Sequence, residues 1–146
     1  IVLASREGLL ATIEEAAEIL QKHKIAALPI VTEDGGLQGI ITQNDLFRAL
    51  VALTGLQDRG VHIAIMLEDR PGSIMEVANL IRQTGGKMAS IMTSYKRCRE
   101  GYRRVYFRVY KFERQKTDSL LEQIGRVAQL LYMVDHRENR RKIFSE

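Results

Sequence analysis

The chain of 146 residues has a single cysteine, Cys98, so no internal disulfide can form and no disulfide framework supports the fold. That usage fits a reducing compartment. Cys98 stands between Arg97 and Arg99, cations that lower a thiol's pKa, yet a plain surface thiol is the preferred reading over a redox sensor. Long hydrophobic runs are also missing. The apolar stretches are strand-length, far short of the roughly 20 residues a membrane helix needs. The apolar start at Ile1 lacks the basic leader and small-residue cleavage site of a signal peptide. A cytoplasmic protein with no membrane attachment is therefore expected. Because the first residue is Ile1 and not Met, a preceding segment is expected as well.

Catalytic and metal motifs are scarce too. The three histidines, His23, His62 and His136, are scattered and match no short metal-ligand spacing. No nucleophile elbow, phosphate loop or paired-carboxylate motif is present. The expectation is a protein that is not an enzyme, with no catalytic residues, no metal and no resident cofactor. No internal repeat or low-complexity segment appears.

What is present is charge, unevenly spread. Residues 96–116 hold nine Lys or Arg against Glu100 and Glu113, a local +7 in a chain whose net charge is +4, so the remainder stands at −3. A basic strip attracts nucleic acid or anionic ligands, and it serves equally as a solvated strand face in a dimer; the second reading is preferred.

Periodicity divides the chain near residue 57. Thr12 and Glu15 have the spacing of a capping box, and Ile13, Ala16, Ala17 and Leu20 follow at helical intervals. Leu28–Val31 and Leu37–Ile41 read as strands around the turn Glu33-Asp34-Gly35-Gly36. A second helix is predicted from about Asn44 to Leu53, and Gly55–Gly60 reads as a linker. In the second part, Val61, Ile63, Ile65 and Leu67 alternate as in a half-buried strand. A turn at Asp69–Gly72 leads to a helix that shows Ile74, Val77, Ala78 and Ile81 on one face and stops at Gly85-Gly86. Strands over Met88–Ser94 and Tyr102–Phe112 follow. Next comes a helix capped by Asp118 or Ser119, with Leu120, Leu121, Ile124, Val127, Ala128 and Leu131 as its apolar face. Tyr132–Asp135 is a last short strand, and the polar end from Glu138 is expected to be loose. The fold class is α/β (α+β): an α-β-β-α unit, then a ferredoxin-like β-α-β-β-α-β unit. The predicted boundaries are residues 1–56, residues 60–137 and a basic tail over 138–146.

In the first unit, Leu28-Pro29-Ile30-Val31 is followed, after the glycine turn, by Gly39-Ile40-Ile41-Thr42-Gln43-Asn44-Asp45-Leu46. This string, with the helix Ile13–His23 before it, resembles a CBS motif over roughly residues 3–54. The resemblance implies that Asp45 accepts hydrogen bonds from ribose hydroxyls and that Thr42 lies near the ribose and phosphates. Gly39 lets backbone approach the ligand, and Ala27, Leu28 and Pro29 complete the expected nucleotide site. Adenine ligands such as AMP, ATP or S-adenosylmethionine are implied. Ala26 and Ala27 stand where nucleotide-binding relatives often carry basic residues, so a nucleoside suits the site as well as a triphosphate does. A competing reading needs no ligand: Thr42 and Asp45 by themselves make a good helix start. CBS motifs pair, so a second copy is expected upstream of Ile1 or in another chain.

In the second unit, the turn Asp69-Arg70-Pro71-Gly72-Ser73-Ile74 just after the first strand resembles that of an ACT domain, over about residues 60–136. Pro71 suits a helix start, and Gly72 exposes backbone N–H groups fit for a carboxylate. The resemblance implies an amino-acid site at Asp69, Arg70, Pro71, Gly72, Ser73 and Ile74, at an interface between two copies. Again a well-made turn explains the same residues without a ligand.

The combination of CBS segment and ACT unit resembles the acetoin-utilisation (AcuB-type) regulatory family. It implies a non-catalytic regulator, forming homodimers or larger homo-oligomers through its CBS and ACT surfaces and acting on an associated enzyme. The rival expectation is RNA binding. RNA-recognition motifs share the β-α-β-β-α-β order, and Gly101–Phe107 partly matches their aromatic signature. Against it, Arg104 occupies the place of a stacking ring, and the strand Val61–Leu67 has no aromatic residue.

Overall fold

The computed structural model describes residues 3–4, 12–32, 34–111 and 113–144. The chain splits into two compact units, Ile1–Ala52 and Leu53–Glu146.

The first unit contains β1 (Leu3–Ala4), α1 (Ile13–His23), β2 (Ala27–Val31), β3 (Leu37–Thr42) and most of α2 (Gln43–Leu53). The capping box opens α1 as expected: Thr12 N donates to Glu15 Oε2 at 2.8 Å, and Glu15 N donates to Thr12 Oγ1 at 3.2 Å. Each bond satisfies a first-turn donor that has no partner within the helix. Lys24, in the left-handed region at φ 54°, closes the helix. Ile13 departs from the predicted apolar face and is exposed, whereas Ala16 and Leu20 are buried. The sheet order is β1-β2-β3, with β1 parallel and β3 antiparallel to β2. Ala16, Leu20 and Leu28 form the core, with Ile19, Ile25, Ile41 and Leu46 partly buried against it. None of the residues of α2 is buried; Phe47 is 63% exposed and, on the sheet, Ile40 is 62% exposed.

The second unit runs β4 (Val61–Glu68), α3 (Ser73–Gln83), β5 (Lys87–Ser94), β6 (Tyr102–Tyr110), α4 (Thr117–Gly125), β7 (Gln129–Asp135) and β8 (Arg140–Ile143). Its sheet has the order β5-β6-β4-β7-β8, and every pairing within it is antiparallel. The first four of these strands in chain order, β4 to β7, give the ferredoxin-like arrangement, with β4 between β6 and β7. Val61, Ile63, Ile65 and Leu67 join Val77, Ile81, Phe107, Leu120, Ile124 and Met133 in one core.

Several elements differ from the sequence reading. The strand β4 is not half-buried: Ala64 and Met66 are buried along with the alternating set. Ala64 lies in register with Tyr106 on one side and Tyr132 on the other, and these large neighbours cover the small side chain. The helix α4 begins at Thr117 after a 3-10 turn and has no side-chain cap, so neither Asp118 nor Ser119 plays that part. It ends at Gly125, leaving Val127 exposed and freeing Gln129–Leu131 to lengthen β7. The end of the chain is not loose over 140–143. Asp135 Oδ1 accepts from Arg137 N at 2.9 Å and Glu138 N at 3.2 Å, and this turn returns the chain to pair with β7 as β8.

Candidate functional site

The first candidate site is the corner where β3 runs into α2. Ala27 pairs with Thr42 across the ladder, Pro29 with Ile40, and Ile30 with Gly39. No atom lies within 4 Å of the position a Cβ on Gly39 would take, so its backbone is approachable. Thr42 and Asp45 are brought together by their spacing across the helix start. Asp45 Oδ2 accepts from Thr42 Oγ1 at 2.6 Å and from Thr42 N at 2.9 Å, and Asp45 N donates to Thr42 Oγ1 at 3.3 Å. The hydroxyl of Thr42 is the main cause holding the Asp45 carboxyl below its ordinary value. Among the described residues, the other oxygen, Oδ1, meets only a 3.4 Å ion pair from the exposed Arg48. The corner is thus a helix cap that uses one carboxylate oxygen and leaves the other outside the cap bonds, on a side chain 45% exposed. Leu28 does not join the site through its side chain, which is fully buried against Ala16 and Leu20 because the strand alternates toward the helices there. It has only backbone to offer.

The second candidate site is the β4–α3 corner. Gly72 adopts φ +86° with open space around it and precedes the first helical residue, Ser73. Pro71 is exposed. The side chains of Asp69 and Arg70 are engaged: Asp69 Oδ1 pairs with Arg103 Nε at 3.3 Å, and Arg70 makes a two-pronged contact with Glu76 at 2.8 and 2.7 Å. Two expected contributors turn inward. Ser73 is fully buried, its Oγ without a partner among the described residues, and Ile74 packs on the core. Both follow from the first turn of α3 lying on the sheet, which turns Ser73 and Ile74 inward while Met75 and Glu76 stay exposed.

The outer face of β6 is partly closed. Val105, Phe107 and Val109 face the core, as alternation predicts. On the other face Arg108 Nε donates to Thr54 O at 2.8 Å, and Ser90 Oγ donates to the same carbonyl at 2.9 Å. Gly55 and Gly60 sit too close to the sheet for any side chain: an added Cβ would lie 2.6 Å from Ala89 Cβ and 2.0 Å from Val109 O. The segment read as a linker is therefore packed at Gly55 and Gly60. His62 meets Tyr132 edge-on at 5.5 Å and tilts against Tyr106 at 6.0 Å. These rings pack on one another instead of standing as free stacking platforms for bases, so the RNA reading is not favoured.

Among the described residues there are clefts that were not foreseen. One, of about 710 Å³, lies between α1 and α2 and includes Glu18, Gln43, Leu46 and Phe47. Another, of about 460 Å³, is lined by Glu68, Arg99, Tyr102 and Arg126. The second depends on the loop after α4, a region the helical pattern had absorbed into the helix. Among the described residues no group of three or more His, Cys, Asp or Glu is placed to hold a metal ion. No described helix is long and apolar enough to cross a membrane.

Comparison with known proteins bears on the first unit. Over 39 residues, 27% of this chain, the sequence is 54% identical to inosine-5'-monophosphate dehydrogenase of Halalkalibacterium halodurans, and equally so to that of Staphylococcus aureus. The matched segment is 8% of each of those proteins. Among solved structures, a prephenate dehydratase of Arthrobacter aurescens in complex with L-Phe is similar at a TM-score of 0.41 and 13% identity, over 59% of this chain and 30% of that one. A likeness at that score carries no argument about a site. Residues 9–52, which hold α1, β2, β3 and nearly all of α2, match the CBS domain family.

Proposed function

We propose that the chain is a non-catalytic regulatory module whose CBS segment senses an adenine nucleoside or nucleotide at the β3–α2 corner. The observation that carries this reading is the Oδ1 of Asp45, left outside the cap bonds. Thr42 fixes the carboxylate through Oδ2, and an exposed ion pair such as that with Arg48 is worth little. Oδ1 is then ready to accept a pair of vicinal hydroxyls, beside the approachable backbone of Gly39 and the edge of Ala27 and Pro29. In the second unit, the exposed Gly72 turn offers the backbone donors of α3 to the carboxylate of an amino acid. The arrangement of CBS segment and ferredoxin-like unit resembles the acetoin-utilisation regulators, and homo-oligomers acting on a partner enzyme in the cytoplasm fit that role. A ligand that favours one packing of the copies over another would shift their equilibrium and so signal.

The test is a thermal-shift series with adenosine, AMP, ATP, S-adenosylmethionine and the amino acids. An adenine ligand should raise Tm by mass action. Asp45→Asn, which keeps a capping side chain, should abolish that rise. A rise that survives the substitution would discard the corner as the site.

A further inference from the structure

At the C-terminal end of β4, the outer face of the sheet opens into the cleft of about 460 Å³. Its lining is mostly polar: Glu68, Arg99 and Arg126 supply charge, Val127 is 47% exposed, and Met66 is buried. Tyr102 lines it as well, with the Arg99 guanidinium 3.6 Å from the ring centroid.

The charges are not equivalent. Arg126 Nη2 is 2.7 Å from Glu122 Oε1, and Glu68 Oε2 is 3.3 Å from Arg70 Nε. Arg99 pairs with no carboxylate among the described residues; its neighbour is the Tyr102 ring. Two residues along β6 from Tyr102, Arg104 stands opposite Met66, and its buried Nε has no partner among the described residues. Cationic charge is therefore left unbalanced at this end of β6.

We infer that this cleft binds a small organic monocarboxylate. Stacking on Tyr102 sets the plane of the Arg99 guanidinium, which matches a carboxylate with two parallel hydrogen bonds. The body of the ligand rests against the exposed Val127. The volume is in the range of small-molecule sites, about 300–1,000 Å³. Glu68 on the rim opposes a second negative charge, which selects a monoanion over phosphate or a dicarboxylate. The site shares no residue with either strand-to-helix corner, so it stands or falls apart from the nucleotide reading.

The experiment is an amide chemical-shift titration of the full chain with benzoate, with neutral benzamide and inorganic phosphate as controls. Benzoate should move the amides of Tyr102, Val127 and Gln129, with benzamide and phosphate at least about tenfold weaker, the equivalent of one charge-assisted contact. The exposed substitution Arg99→Gln should weaken benzoate by about the same factor. Unmoved amides in the cleft, equal responses to benzoate and benzamide, tighter binding of phosphate, or full affinity in Arg99→Gln would each overturn the inference.

Discussion

Arg108 Nε donates to the carbonyl of Thr54 at 2.8 Å, a bond across 54 positions that fastens the chain ahead of β4 to the outer face of β6. Arg108 is 5% exposed, so its charge is held out of water by contacts that include this one. Hydrogen bonds to charged groups are worth about 1.5–3 kcal/mol. Arg108→Ala is expected to destabilise the second unit by about that amount, read as a lower urea midpoint with an unchanged slope.

Gly60 is set by space and not by turn chemistry. Its missing Cβ would lie 2.0 Å from Val109 O, a backbone atom that cannot swing aside. Gly60→Ala should cost about 1–3 kcal/mol, as overpacking does. At Gly85 no atom lies within 4 Å, and the cost of Gly85→Ala should come from its φ of +75° alone. Equal midpoints for Gly60→Ala and the unsubstituted protein would refute the close approach.

The half-buried His62 gives stability a pH dependence. Burial first, then the charges of Arg108 and His136, lower its pKa from 6.5 to about 4. The folded form therefore resists protonation that the unfolded chain accepts. The contribution is fully present above pH 6.5 and is lost as pH falls from there to about 4. Arg108, His136, Tyr106 and Tyr132 are the groups that face it. His62→Gln should flatten the stability profile across that window, measured as Tm against pH relative to the unsubstituted protein. Parallel profiles would show that His62 does not carry the effect.

The exposed apolar ridge of α2 should matter for association and not for folding. Phe47 is 63% and Leu50 55% exposed. Phe47→Glu should leave the unfolding midpoint within about 0.5 kcal/mol, as surface changes do. It should shift the sedimentation profile toward the monomer if copies meet on this helix.

Local rules carried the reading furthest where one residue pattern decides one backbone event. Thr12 with Glu15, the glycine turn at 35 and 36, and the corner at Thr42 and Asp45 are of that kind, because each partner lies within a few positions. The order of elements in the second unit was legible because its strands and helices have distinct periods. What stayed hidden depends on distant partners. Nothing in the sequence near Ala64 says that Tyr106 and Tyr132 flank it, and nothing near Gly60 names Val109. At the two corners the residue types were readable, but the inward turn of Leu28, Ser73 and Ile74 comes from how each element lies on its sheet. The cleft at Arg99 joins three separated segments, so no window of sequence contains it.

The last strand, β8, has one further effect. Three of its four residues, Arg140, Arg141 and Lys142, are cationic, and it forms one border of the five-stranded sheet. A like border brought alongside would meet repulsion, as positively charged margins commonly ensure. Two copies are therefore discouraged from joining border to border through β8, and β5 is the margin of this sheet that lacks such a cationic guard.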